Sequence, residues 1–541
     1  MSKASKATTV SRRDLFKLGG VAAVGALGAG ALAGCAPSQV ASGATPTTAT
    51  AAPSDGTPAF LIPPEPITDF VDTKEFDIVV VGAGVAGISA VHTALEAGAS
   101  VACLQKEATP VTQGNMSACI VLEECTEAQI QAAVSLVIHK SDHRANRDLI
   151  NVWAHKSSEA VRWWGEAAAE LGVESKPSKR IIEWSGQPIS LYANTYFHVE
   201  GNHNACALVL AEQAASQGAE FFYKTPAEQL MVEDGAVTGA IGKTDEGYVL
   251  FKATKGVILA TGDYQNNDEM LHYYVPDCKG LRRKQINKTG DGHRMGTWAG
   301  GRIEDVNHTK MIHDPRSRRA DVPFLAIDRH SKRFMCEEVV MGNLNNYWRP
   351  WFRETNYKVD QAGIFFQVVD ANWEAQGNEW QAIDPQTYDI STCKQENFVE
   401  GATFEELAEK INAYCVEKGH NFELDPTEFA ASVNRYNELC AKGEDDDFGK
   451  NPLFMRGLDT PPYYGICRGD AGLSAILGGL IVDVDNRVLD ENDEAIPGLF
   501  AVGNCGGGFY GGVDYPMDIL GLSLGRAITT GYEAGRYVAA L

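Results

Sequence analysis

The sequence predicts an α/β protein built around a dinucleotide-binding βαβ unit, and three observations predict it. Phe76-Asp77-Ile78-Val79-Val80-Val81 is a short, β-branched apolar run. It ends in Gly82-Ala83-Gly84-Val85-Ala86-Gly87, and the helical pattern Ile88 to Ala97 follows at once. A second strand, Ser100-Val101-Ala102-Cys103-Leu104, arrives at the distance such a unit requires, so G-x-G-x-x-G stands in its strand-turn-helix context.

Each glycine answers a separate demand. Gly82 permits the tight turn, Gly84 lets the backbone approach a pyrophosphate, and Gly87 lets the helix lie close to the strand. Ala86 belongs to the same turn, and the helix N-terminus offers free N–H groups to two negative phosphates. At the end of the second strand, where a carboxylate usually grips the adenosine ribose, stand Gln105 and Lys106. The Gln105 amide can bond a ribose hydroxyl, more weakly than a carboxylate, and Glu107 is two residues away.

With 541 residues the chain exceeds one ordinary core, which points to two domains behind a leader. A formal charge of -24 sets nucleic acid aside as the main partner, because each phosphate contact would be made against a repulsive field. The twelve cysteines form no C-x-x-C pair, so no zinc ribbon, iron-sulfur run or haem attachment is legible and no metal is expected. Cys119, Cys206, Cys336 and Cys467 read as small buried hydrophobes.

Ser11-Arg12-Arg13-Asp14-Leu15-Phe16-Lys17 precedes an apolar stretch to Leu32, the layout of an export leader. That stretch is about 15 residues, short of the roughly 20 a membrane span needs. It resembles a twin-arginine signal, and Leu32-Ala33-Gly34-Cys35 resembles a lipobox, which implies cleavage before Cys35 and a lipid anchor on its sulfur; plain cleavage near Ala33 is the alternative. Residues 1–35 are thus read as signal and 36–70 as a flexible linker, too poor in large apolar residues to order itself.

Three further motifs follow in order: Gly256-Val257-Ile258-Leu259-Ala260-Thr261-Gly262, then Thr289-Gly290-Asp291-Gly292, then Ile496-Pro497-Gly498-Leu499-Phe500-Ala501-Val502-Gly503-Asn504. With them the chain resembles, from Phe76 to Leu541, the flavoprotein subunits of the fumarate reductase and succinate dehydrogenase superfamily, including flavocytochrome-type fumarate reductases and ketosteroid dehydrogenases. The resemblance implies a Rossmann-like FAD-binding domain of glutathione-reductase type, residues 71–306 and 465–541, with an inserted α+β capping domain at 307–464. Helical patterns Phe404 to Glu417 and Thr427 to Lys442, the second opened by Asp425-Pro426, fall in the cap. By the same resemblance Gly114 and Asn115 approach flavin and pyrophosphate, and Ala227 lies near the adenine. Ala260, Thr261, Gly262 and Asp291 support the cofactor, and Gly503 and Asn504 meet the ribityl chain. Ser523 and Leu524 open a last helix aimed at the flavin pyrimidine. No histidine follows Thr112-Gln113-Gly114 at the expected turn, so the FAD is expected to be noncovalent.

On the substrate side the sequence departs from the pattern. Ala326 to Phe334 matches the segment upstream of the fumarate reductases' proton-donating arginine, yet Met341 stands where that arginine should be. Ala475 and Ile519 replace a substrate-binding histidine and arginine, while His313 matches another such histidine. A pocket poor in positive charge implies an enone or enoate rather than fumarate. Tyr515, in Gly512-Val513-Asp514-Tyr515-Pro516, resembles the tyrosine-proline of ketosteroid dehydrogenases, so Tyr515 and His313 are the catalytic candidates. Tyr510, Asp514 and Asp518 are weaker ones; Arg316, Arg318 and Arg319 read as a solvated loop, and Trp163-Trp164 and Tyr347-Trp348 as core. The expected activity is an extracytoplasmic, membrane-anchored reductase that passes electrons from a separate donor, such as a membrane-bound or periplasmic cytochrome, to a small-molecule acceptor. A ketosteroid-type dehydrogenase and a noncatalytic flavin-binding or electron-transfer protein are the alternatives.

Overall fold

The computed structural model describes residues 57–196, 205–278, 281–305, 307–313, 322–338, 364–385, 388–393, 395, 398–468, 471–512 excepting 471, and 514–541. The signal with Cys35, the linker before residue 57, Arg316, Arg318, Arg319, Met341, Tyr347 and Trp348 lie outside the described residues.

The anticipated βαβ unit is present, with strand β1 over Asp72–Val81, helix α1 over Val85–Glu96 and strand β2 over Val101–Gln105. Ile78, Val79, Val80 and Val81 are buried on both faces, as their unbroken β-branched run requires of a central parallel strand. β1 pairs in parallel with β2 on one side and with Tyr248–Leu259 on the other. Ala495–Ala501 and Glu220–Tyr223 extend the parallel sheet outward in each direction. An antiparallel ribbon, Ala227–Glu233 with Ala236–Lys243, branches from Tyr248–Leu259. The C-terminal helix Leu522–Ala540 lies against α1, and Gly531 and Gly535 leave its backbone room: a Cβ at Gly531 would collide with the Ala86 carbonyl oxygen.

The cap has its own antiparallel sheet, ordered Leu325–Ile327, Phe365–Val369, Tyr463–Arg468, Phe398–Gly401. Helices Phe404–Lys418 and Pro426–Lys442 cover it, packing Leu407, Ile411, Phe429 and Val433 onto Phe366 and Val368. Asp425 caps the second of them as its sequence implied, its carboxylate accepting from the Thr427 and Glu428 amides. The domain break expected between 464 and 465 falls inside Tyr463–Arg468, which is bonded along its length to the cap sheet, so the cap runs on to Arg468. Lys310–His313 and Gly472–Ile476 form a small sheet with Arg282–Arg283 where cap and cofactor domain meet. Of the cysteines read as core, Cys119 and Cys206 are buried, whereas Cys336 and Cys467 are only half-buried.

Beneath the cap helices lies a buried ionic cluster. Arg333 is bidentate to both Glu337 and Asp445, with all four N···O distances between 2.8 and 2.9 Å, and Lys450 lies 3.2 Å from Glu337. Burial alone would raise the Asp445 carboxyl, but the Arg333 bonds outweigh it and hold it at about 2. Removing one partner strands the others without water, so Arg333→Met is expected to destabilise the protein by about 3–5 kcal/mol in a denaturant titration. Because the folded Asp445 value lies below its usual 3.8, its share of stability is present above pH 3.8 and is lost as pH falls towards 2. Wild type should therefore weaken steeply over that window, and Asp445→Asn should flatten the slope there.

Candidate cofactor and active site

The glycine turn has the geometry its motif requires. Gly82 has φ +107°, and a Cβ there would lie 2.6 Å from the Ala260 carbonyl oxygen. A Cβ at Gly87 would run into the Gly82 carbonyl oxygen. At Gly84, by contrast, the nearest atom to a Cβ is Val111 O at 3.5 Å, which leaves the backbone open on that side. The turn is pinned by Gly82 N–H donating to Leu104 O (2.8 Å) and Ala260 N–H to Val81 O (2.8 Å). Helix α1 starts at Gly84 without a capping side chain or an acidic residue in its first turn, and the first helical amide to find a carbonyl is Ile88, on Gly84 O. The amides of Val85, Ala86 and Gly87 are left at the positive end of the helix.

Three other stretches expected at the cofactor, Ala260–Gly262, Gly503 and the Asp291 loop, meet this turn or one another. Gly503, at φ +59°, approaches Ala86 so closely that a Cβ on it would lie 3.0 Å from that side chain. The Gly292 amide donates to Thr261 Oγ1 (3.2 Å), which brings the Asp291 loop onto the Ala260–Gly262 turn. Asp291 accepts from Lys106, Arg294 and Thr289, each at 2.8 Å. Burial opposes its ionisation, but Lys106 and Arg294 prevail and keep its carboxyl below the ordinary range. Ala227 lies beside β2 through the Thr225 amide, which donates to Gln105 O (3.0 Å).

Two expectations are narrowed. One hydrogen of the Gln105 side-chain NH2 is taken by Thr109 O (3.0 Å), which leaves its oxygen and one N–H for a ribose, and Glu107 is engaged by Asn287 at 2.5 Å. The last helix opens at Leu522, and the Ser523 amide donates to the Tyr515 hydroxyl oxygen (3.1 Å). Of the pair named from sequence, that leaves the Leu524 amide for a cofactor carbonyl.

A buried acid at this site was missed. Asp263, directly after Gly262, is fully buried and accepts from the Gln265 amide (3.0 Å), the Gln265 side chain (3.1 Å), the Gln113 side chain (3.2 Å) and the Ile476 amide (3.2 Å). Gln113 in turn accepts from Asn504 Nδ2 (3.3 Å), so Asp263 orients two residues of the flavin side through one amide. Burial raises its carboxyl above the usual range. The signal was the aspartate itself, an acid following a buried strand and a glycine turn.

On the substrate side, Tyr515 is buried at 6% exposure against Tyr510, and burial lifts its phenol well above the usual range, so it keeps its proton at neutral pH. Its oxygen accepts from Ser523, which leaves its hydrogen to donate. Ala475 and Ile519 are buried in the same apolar cluster as Tyr515. The Tyr515 amide donates to Lys310 O (3.0 Å), at the start of the strand Lys310–His313, so Tyr515 lies beside the strand that ends in the other catalytic candidate. Lys310 itself pairs with Asp277 at 2.9 Å. Asp518 pairs with Lys140 (3.2 Å) at the surface, Tyr510 and Trp164 are core, and Trp163 is half-buried.

The sequence pattern of the FAD binding domain family matches residues 77–515. The chain belongs to that family. It is 28% identical to a vinyl phenol reductase of Lactiplantibacillus plantarum over 86% of this chain and 96% of that one, and 28% identical to a digoxin reductase of Eggerthella lenta over 98% and 97%. Its fold matches the open conformation of a flavocytochrome c3 fumarate reductase with a TM-score of 0.61 at 22% identity, covering 87% of this chain and 79% of that one. The protein is an FAD-dependent oxidoreductase, and the open backbone at Gly84 beside uncapped amides is a seat that fits the FAD diphosphate. Gly87→Val should force the helix off the strand and weaken FAD binding by about a hundredfold or more, read by flavin fluorescence on the deflavinated protein.

Proposed function

We propose that this protein reduces an activated C=C bond in an enone or enoate larger and less charged than fumarate. The observation that supports the reading is apolar burial: Ala475 and Ile519, which by the resemblance replace cationic substrate-binding side chains, are buried in the same apolar cluster as Tyr515, and Lys310 is already committed to Asp277. A dicarboxylate brought there would lose its hydration without a compensating cation. The related vinyl phenol and digoxin reductases, both named for uncharged acceptors, agree with this.

FAD, once bound and reduced by two electrons, would supply the hydride for one carbon of the double bond. Tyr515 donates its hydroxyl hydrogen to the activating carbonyl, stabilising the negative charge that develops there, and the Ser523 amide holds the phenol oxygen in place. His313 supplies the proton to the second carbon. The two electrons come from a separate carrier, such as a membrane-bound or periplasmic cytochrome. Arg12-Arg13 and Leu32-Ala33-Gly34-Cys35 support export by the twin-arginine route and a lipid anchor at Cys35, and the acidic surface suits a basic carrier.

An anaerobic screen of photoreduced protein against enones, aryl acrylates and fumarate tests this directly. The oxidised flavin band should return with an uncharged acceptor and stay bleached with fumarate; brisk reoxidation by fumarate contradicts the proposal. On the best acceptor, Tyr515→Phe should slow reoxidation by about 10²-fold or more with FAD still bound. An unchanged rate would remove the phenol from the reaction.

A further inference from the structure

The cofactor seat carries a cation that neither the glycine motif nor the reaction uses. Lys288 lies three residues before Asp291, and its backbone is clamped on both sides: its amide donates to Asn266 Oδ1 (2.9 Å), and its carbonyl accepts from the Asn266 amide (2.8 Å). The neighbouring Gln285 amide donates to Gln265 Oε1 (3.1 Å), which fixes the segment onto the Asp263–Asn266 turn. The half-buried side chain runs along the Ala260–Gly262 turn, where a Cβ at Gly262 would lie 3.4 Å from Lys288 Nζ. That turn is the one pressed against Gly82.

The charges around the seat do not otherwise balance an incoming anion. Lys106 and Arg294 are both spent on Asp291, at 2.8 Å each. The start of α1 contributes only about half a positive charge. Lys288 has no ion pair within 4.0 Å among the described residues. Burial pushes its ammonium below the ordinary lysine range, and Asp263 is the chief charge pulling the other way. The charges that act on it are Asp263, Lys106, Glu107 and Asp291, the same groups that surround the Ala260–Gly262 turn and the Asp291 loop.

We propose that Lys288, held against the Ala260–Gly262 turn, is the counter-charge of the FAD diphosphate. This rests on the cofactor reading above and adds a residue to it. The test uses the full chain after deflavination, with FAD, ADP-ribose and riboflavin as separate probes, each titrated at several salt concentrations. Wild type should bind FAD with an affinity that falls as salt rises. Lys288→Met should weaken FAD and ADP-ribose by about tenfold to a hundredfold, flatten the salt dependence and leave riboflavin binding unchanged. Lys288→Arg should recover most of the loss, which a misfolded seat would not allow. An unchanged FAD affinity in Lys288→Met overturns the proposal, as does a loss confined to FAD and riboflavin with ADP-ribose unaffected. Failure of wild type itself to bind FAD would instead sink the cofactor reading beneath it.

Discussion

The close approach of α1 to β1 governs much of this molecule. With only a hydrogen at Gly87, the helix can come down against the Gly82 carbonyl, and with only a hydrogen at Gly82 the turn can sit under the Ala260 carbonyl. That contact turns the helix end towards open space at Gly84, where amides have no carbonyl of their own. It also aligns three other loops, because Ala260–Gly262 rides on Gly82, Gly503 rides on Ala86, and the Asp291 loop bonds to Thr261. Residues from four distant stretches of chain thus meet in one place because two positions lack side chains.

Charge is divided unevenly across that meeting point. On the cofactor side, Lys106, Arg294, Lys288, Asp291 and Asp263 supply both signs, and the acids are held by several donors each. Ala475, Ile519 and Tyr515, by contrast, share an apolar cluster, and Lys310, whose carbonyl accepts from the Tyr515 amide, is neutralised by Asp277. The proposed preference for an uncharged acceptor rests on this division. In the proposed reaction a phenol that keeps its proton would stabilise a developing oxyanion at less desolvation cost than a free cation.

The sequence disclosed what repeats along the chain and concealed what forms across it. β1, α1 and β2 were legible because Ile78 to Val81 form an unbroken apolar run and the glycines have fixed offsets. The cap helices were legible because Asp425-Pro426 marks a helix start by local chemistry. The strand Tyr463–Arg468 was cut in two by the expected boundary because its membership in the cap sheet is set by pairing with Phe365–Val369, about a hundred residues away. Asp263 escaped notice because its meaning lies in donors from Gln113, Gln265 and Ile476, which no local pattern groups together. Gln105 was placed at the right strand end, but the turn at Thr109 that takes its amide could not be read from strand periodicity.

The central claim is that backbone amides at the start of α1 hold one FAD per chain without a covalent bond. The direct measurement is the flavin content of purified protein before and after acid precipitation. The account predicts a yellow protein carrying one flavin per chain, all of it passing into the supernatant as intact FAD. Colourless protein that takes up no flavin on incubation, or flavin that stays with the precipitate, would contradict it.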